Sequence, residues 1–118
     1  MPTLRELTEA IQQRPGVSAV VILGADGLLI ETHDRSRSHD AEALAARVPG
    51  VMTAARQLAD SSGGGGVAML LLELDHGYGV VMRLSDQVML FVSATPDVAL
   101  AELLFDLRQH RSAMASLV

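Results

Sequence analysis

Residues 17–32, VSAVVILGADGLLIET, restrict the fold more than any other stretch of this chain. An apolar run over 17–23 reaches Ala25-Asp26-Gly27, and a second run returns from Leu28 to Thr32, closing on Glu31-Thr32. An Asp-Gly pair between two apolar runs is a hairpin signal, because glycine takes the positive φ of a tight turn without steric cost. The first run is apolar on both faces apart from Ser18, which predicts a strand covered on both sides of its sheet. The second is short and carries a charge near its end, as suits an edge strand.

The cover has to come from helices, and three segments have the pattern. Thr3 followed by Glu6 is a capping-box pair, and Leu4, Leu7, Ala10 and Ile11 recur at helical spacing until Pro15-Gly16. The polar segment HDRSRSHD leads to a second helix, from about Ser38 or Asp40 to Asp60. Its stripe is Leu44, Val48, Val51, Met52, Ala55 and Leu58 or Ala59. Pro49-Gly50 falls inside it and predicts a kink or two shorter helices. SSGGGG at 61–66 reads as a flexible connector. Strands follow over Val67 to Leu74, Gly79 to Leu84 and Gln87 to Ser93, with turns at Asp75-His76-Gly77 and Ser85-Asp86. Thr95-Pro96-Asp97 supplies cap, N1 proline and first-turn acid for a last helix lined by Leu100, Leu103, Leu104 and Leu107. The order is α-β-β-α-β-β-β-α: an α+β fold over residues 1–118 as a single domain, with one five-stranded antiparallel sheet flanked by helices.

Composition narrows the function classes. The chain has no Cys, so disulfides, thiolate nucleophiles and thiolate metal sites are excluded together. A net charge of −5 argues against nucleic acid, which requires a concentrated basic face. All nine basic residues are Arg, which with the abundant Ala reads as codon usage and not as a binding signature. No apolar stretch approaches the roughly 20 residues of a membrane span. The start, MPTLRELTEA, has two Glu and no basic run, so no secretory leader is expected and the expected address is cytoplasmic.

The candidate sites are weak as chemistry. Gly63–Gly66 precedes a strand and lacks the Lys-Ser/Thr of a phosphate loop, so it reads as a linker. His33-Asp34, His39-Asp40 and Asp75-His76 lack metal-ligand spacing and read as loop polarity and capping. Ser61, Ser62, Ser85 and Ser93 lie in no nucleophile elbow. Neither catalytic, cofactor nor metal residues are expected, and an enzyme is not. The exception to these bland readings is VAMLLLEL at 67–74. It is either a central, buried strand or an apolar edge that a second copy covers, because an open edge of this kind is an aggregation hazard.

In this order of elements the chain resembles the Roadblock/dynein light chain family, in particular its bacterial, MglB-like members. The resemblance covers about residues 3–112. It rests on GVSAVVILGADGLLIET, EALAARVPGVMTAARQLAD, the apolar strand with its meander, and TPDVALAELLFDLRQH. It implies a homodimer in which the third strand pairs with its symmetry mate, giving a ten-stranded sheet, and the second helices lie side by side. Val67, Met69, Leu70, Leu71 and Leu72 on the strand and Val48 and Met52 on the helix are the expected interface residues. It also implies a regulatory or scaffold platform for a small Ras-like GTPase, which would carry the nucleotide and the chemistry. Arg47, Thr53, Arg56 and Gln57 are the expected partner surface, and Arg47 and Arg56 are the candidates for an arginine supplied in trans. The rival reading is a small-molecule sensory domain, against which stands the presence of only Tyr78, Phe91 and Phe105 as aromatics.

Overall fold

A computed structural model describes residues 2–35 and 37–118; Met1, and Ser36 within the polar connector, lie outside the described residues. Among them run α1 (Leu4–Gln12), β1 (Val17–Gly24), β2 (Leu29–Asp34), α2 (Ala41–Ser62), β3 (Met69–Leu74), β4 (Gly77–Arg83), β5 (Val88–Ala94) and α3 (Leu100–Ala115). The strands form one antiparallel sheet in the order β2-β1-β5-β4-β3. β2 and β3 are therefore its edges.

Local chemistry sets the element ends. The Thr3 hydroxyl accepts from the Glu6 N–H at 3.1 Å and the Glu6 carboxylate takes the Thr3 N–H, completing the capping box. Gly27 adopts φ +84° in the β1–β2 turn, as the Asp-Gly signal requires. Asp40 caps α2 by accepting from the Ala43 N–H at 3.1 Å.

Strand alternation divides the core into two. Val20 and Ile22 of β1, Val80 and Met82 of β4, and Leu90 and Val92 of β5 point to the face covered by α1 and α3, where they meet Leu7, Ile11, Leu103, Leu107 and Met114. Val21, Leu23, Val81 and Met89 point to the other face and meet Ala45, Val48 and Met52 of α2. Burial along β1 on both faces follows from these two layers.

Three expectations are corrected. Helix α2 neither splits at Pro49 nor stops at Asp60; it runs unbroken to Ser62, so Ser61 and Ser62 belong to the helix. The proline removes one backbone donor and leaves the remaining ladder intact, and Gly63 ends the helix, with the Gly64 N–H reaching the Ala59 carbonyl at 3.1 Å. Helix α3 starts at Leu100 instead of following Thr95, and its N-cap Ala99 makes no side-chain cap. Thr95 is held elsewhere: its N–H donates to the Gly16 carbonyl at 2.8 Å and its hydroxyl to the Asp97 carboxylate, which pins 95–98 as a turn beside the α1–β1 junction. Strand β3 begins at Met69, and Val67 packs beneath α2 before the ladder starts.

Candidate functional site

A helix of 22 residues is about 33 Å long. Only its first half is seated: Ala45, Val48 and Met52 are buried, and no residue from Thr53 to Gly66 is. The apolar stripe nevertheless continues. Leu44, Val51 and Leu58 follow one another at seven-residue spacing, which keeps them on one side of the helix. Leu44 is half-buried at the seated end, Val51 is 39% exposed and Leu58 is 73% exposed. Along the free edge of the sheet Leu71 is 42% and Leu74 54% exposed, while Met69, Leu70 and Leu72 are half-buried. The outer N–H and C=O groups of β3 face no strand among the described residues. By strand alternation Leu71 shares the α1/α3 face with Met69, and Leu74 shares the α2 face with Leu70. The strand edge and the distal helix are thus two aliphatic regions that the protomer leaves open.

Met52 is fully buried and Val48 nearly so, in the protomer's own core, so the two helix residues expected at an interface lie under the helix. The large apolar residues that the helix exposes are Val51 and Leu58. Val51 is next to buried Met52 in sequence but about 100° away around the helix, so it is exposed by its side of the helix, whereas Leu58 also lies beyond the seated half. Arg47, Thr53, Arg56 and Gln57 are all exposed. Thr53, Arg56 and Gln57 fall within one arc of α2, with the Thr53 hydroxyl donating to the Pro49 carbonyl at 3.0 Å. Arg47 stands nine positions before Arg56, two and a half turns, and so on the opposite side, bordering the Val51–Leu58 stripe.

The register brings together a trio invisible in the sequence. Asp34 of β2 faces Ala19, and Ala19 faces Ser93 of β5. His39 lies over that row: its Nδ1 is 3.1 Å from Asp34 Oδ2 and its Nε2 3.3 Å from Ser93 Oγ. The connectivity is that of a serine-hydrolase triad. Ser93, however, sits inside a strand paired on both sides, where the neighbouring N–H groups belong to the ladder and none is free to cradle an oxyanion. The trio therefore fastens the connector before α2 to the sheet, helped by the His39 N–H donating to Asp34 at 2.8 Å. Among the described residues no three His, Asp or Glu are placed to hold a metal ion. No helix is long and apolar enough to cross a membrane.

A hollow of about 730 Å³ opens at the β1–β2 turn and is lined by Leu28, Leu29, Ile30 and Val88, with Asp26 as its one charged residue. None of the three aromatic residues lines it. Asp97, in the turn before α3, is held below the ordinary carboxylate value by a hydrogen bond from the Thr95 hydroxyl and by one from its own backbone N–H.

The model of the Roadblock/LC7 domain family matches residues 3–94. Among solved structures, the Roadblock/LC7 domain from Streptomyces avermitilis superposes with a TM-score of 0.84 at 23% identity, covering 98% of this chain and 97% of that one. MglB from Myxococcus xanthus gives 0.88 at 15% identity, with 97% and 93% covered. The gliding protein MglB from Thermus thermophilus gives 0.87 at 14%, with 97% and 87% covered. No curated protein matches by sequence.

Proposed function

Because the chain belongs to the Roadblock/LC7 domain family, we propose that it is a homodimeric, non-enzymatic regulator or scaffold that binds a small Ras-like GTPase in the cytoplasm. The observation that carries this reading is the pair of open aliphatic regions, the β3 edge and Val51 with Leu58 of α2. A second copy covers both parts at once: β3 pairs with its mate into a ten-stranded sheet, and the two α2 helices adjoin along the heptad-spaced stripe. The paired helices then present Thr53, Arg56 and Gln57 twice, and a GTPase docks on that doubled polar face. Arginine suits such a surface because its planar fork holds carboxylates in two hydrogen bonds. The dimer acts by ordering the switch segments of its partner, and the nucleotide chemistry stays with the GTPase.

The test is titration calorimetry of the dimer against the small Ras-like GTPases of its own organism, each loaded with GDP or a non-hydrolysable GTP analogue. Micromolar or tighter binding of one of them, weakened by Arg56→Ala with the dimer intact, is the expected result. A dimer that binds none of them in either state refutes the GTPase reading.

A further inference from the structure

At the start of β3 the α1/α3 face of the sheet carries a hollow of about 350 Å³ lined by Ala68, Met69, Met82, Arg108 and Arg111. The arginines stand one turn apart on α3. Arg111 uses its Nε–H on the Arg83 carbonyl, at 2.9 Å, which leaves its terminal NH₂ groups for another acceptor. Among the described residues neither Arg108 nor Arg111 has a carboxylate within ion-pair distance, although the chain carries 14 acidic residues. At the far end of the same strand Glu73 is exposed, and it too has no ion-pair partner among them. Glu73 is opposite Tyr78 and Met69 opposite Met82, two pairs on the same face of the sheet. On one face, then, the start of β3 lies beside two α3 arginines and its far end carries Glu73, none of the three with an ion-pair partner among the described residues.

Within a protomer the two ends cannot meet. Across an antiparallel copy they must, provided the register is right. We propose that the arginine-lined hollow receives the carboxylate of the partner subunit's Glu73, and that this pairing sets the register of the β3 junction with Leu71 on the twofold axis. The proposal rests on the homodimer reading above and specifies its geometry. Opposed residues of neighbouring strands share a face, so only registers that match odd with odd and even with even keep both apolar faces continuous. With Leu71 facing the partner's Leu71, Leu70 faces the partner's Leu72 and Met69 faces the partner's Glu73. Opposed Cβ atoms lie about 4.5–5.5 Å apart, so that carboxylate arrives beside Met69, at the mouth of the hollow Met69 lines. Symmetry makes the contact twice. With Leu72 on the axis, Glu73 would instead face the partner's Leu71, setting a carboxylate against the strand's most open leucine on that face.

Two experiments on the full chain test this. The chain has no cysteine, so single substitutions report the register directly under mild oxidation with copper–phenanthroline. Leu71→Cys should give a disulfide-linked dimer, because a residue on the axis brings two Cα atoms to the roughly 4.5–5.5 Å of an opposed antiparallel pair, within disulfide range. Leu72→Cys should stay uncrosslinked. The reverse result overturns the register. Sedimentation equilibrium then tests the charges. Glu73→Arg and Arg108→Glu should each weaken the dimer about tenfold, since each turns two attractions into two repulsions, and the double variant should return to within about threefold of wild type. Association insensitive to both single variants, or a double variant no tighter than the weaker single, overturns the pairing while leaving the dimer standing. A wild-type chain that stays monomeric at about 100 µM removes the dimer itself, and the pairing with it.

Discussion

Met52→Ala and Leu58→Ala delete similar apolar bulk from the same helix, and the structure assigns them opposite consequences. Met52 has no exposed surface and packs between α2 and Val21, Leu23 and Met89 of the sheet layer. Its truncation leaves a cavity that a two-sided layer cannot collapse, at a cost of about 2–5 kcal/mol. With an unfolding entropy near 2.1 cal/mol/K per residue, 118 residues give about 250 cal/mol/K, so about 3 kcal/mol lowers Tm by about 12 °C. Leu58 is 73% exposed in the protomer, and its truncation should cost the free protomer no more than about 0.5 kcal/mol. At a paired α2 seam the same side chain is buried twice by symmetry. Full burial is worth about 1.5–3 kcal/mol per leucine, so losing even half of it on each side weakens association about tenfold, and losing all of it a hundredfold or more. Urea unfolding followed by circular dichroism in dilute, monomeric protein separates the first effect, and sedimentation equilibrium the second. The dilute measurement matters because a dimer adds apparent stability that rises with concentration. If Leu58→Ala unfolds as early as Met52→Ala in dilute protein, the distal helix is seated after all. If Leu58→Ala leaves the association constant unchanged, the seam lies elsewhere.

Gly77→Ala should give insoluble or largely unfolded protein, because Gly77 has φ +151° and a Cβ there runs into the Ala94 carbonyl oxygen; Gly50→Ala, with nothing within 4 Å, should raise stability by about 0.5–1 kcal/mol as a helical Gly-to-Ala change, and thermal melts of the two check both. The Asp97 carboxyl should titrate below 3.8, so its hydrogen bonds favour the folded chain above that pH and fade as pH falls through the lowered value; Thr95→Val should raise it, and an unchanged NMR titration in the variant refutes the assignment to Thr95. Ser93→Ala should leave p-nitrophenyl acetate turnover at the wild-type level while speeding amide exchange at residues 37–40; a lost esterase rate would make the Asp34–His39–Ser93 trio catalytic.

What the sequence by itself determined was whatever depends on near neighbours. The Thr3–Glu6 capping box, the Asp40 cap, the Gly27 turn and the two-sided apolar run of β1 each rest on residues a few positions apart, so they are legible as patterns. The same locality made Thr95-Pro96-Asp97 look like a helix start, when a bond to Gly16, distant in sequence, holds it as a turn. It also predicted a kink or two shorter helices at Pro49, and α2 does not split there: it continues as one helix packed on the sheet. Only the tertiary structure decided which apolar residues of α2 are core and which are surface, because that depends on which side of the helix meets the sheet, as Met52 and Val51 show, and on how far the seated half extends, as Leu58 shows. The sheet order likewise decided that β3 is an edge, where its composition suits a buried strand equally well. The Asp34–His39–Ser93 trio and the arginine hollow belong to the same class. Their members are brought together by strand register and helix docking, and free energy gained between residues distant in sequence leaves no periodic trace in the chain.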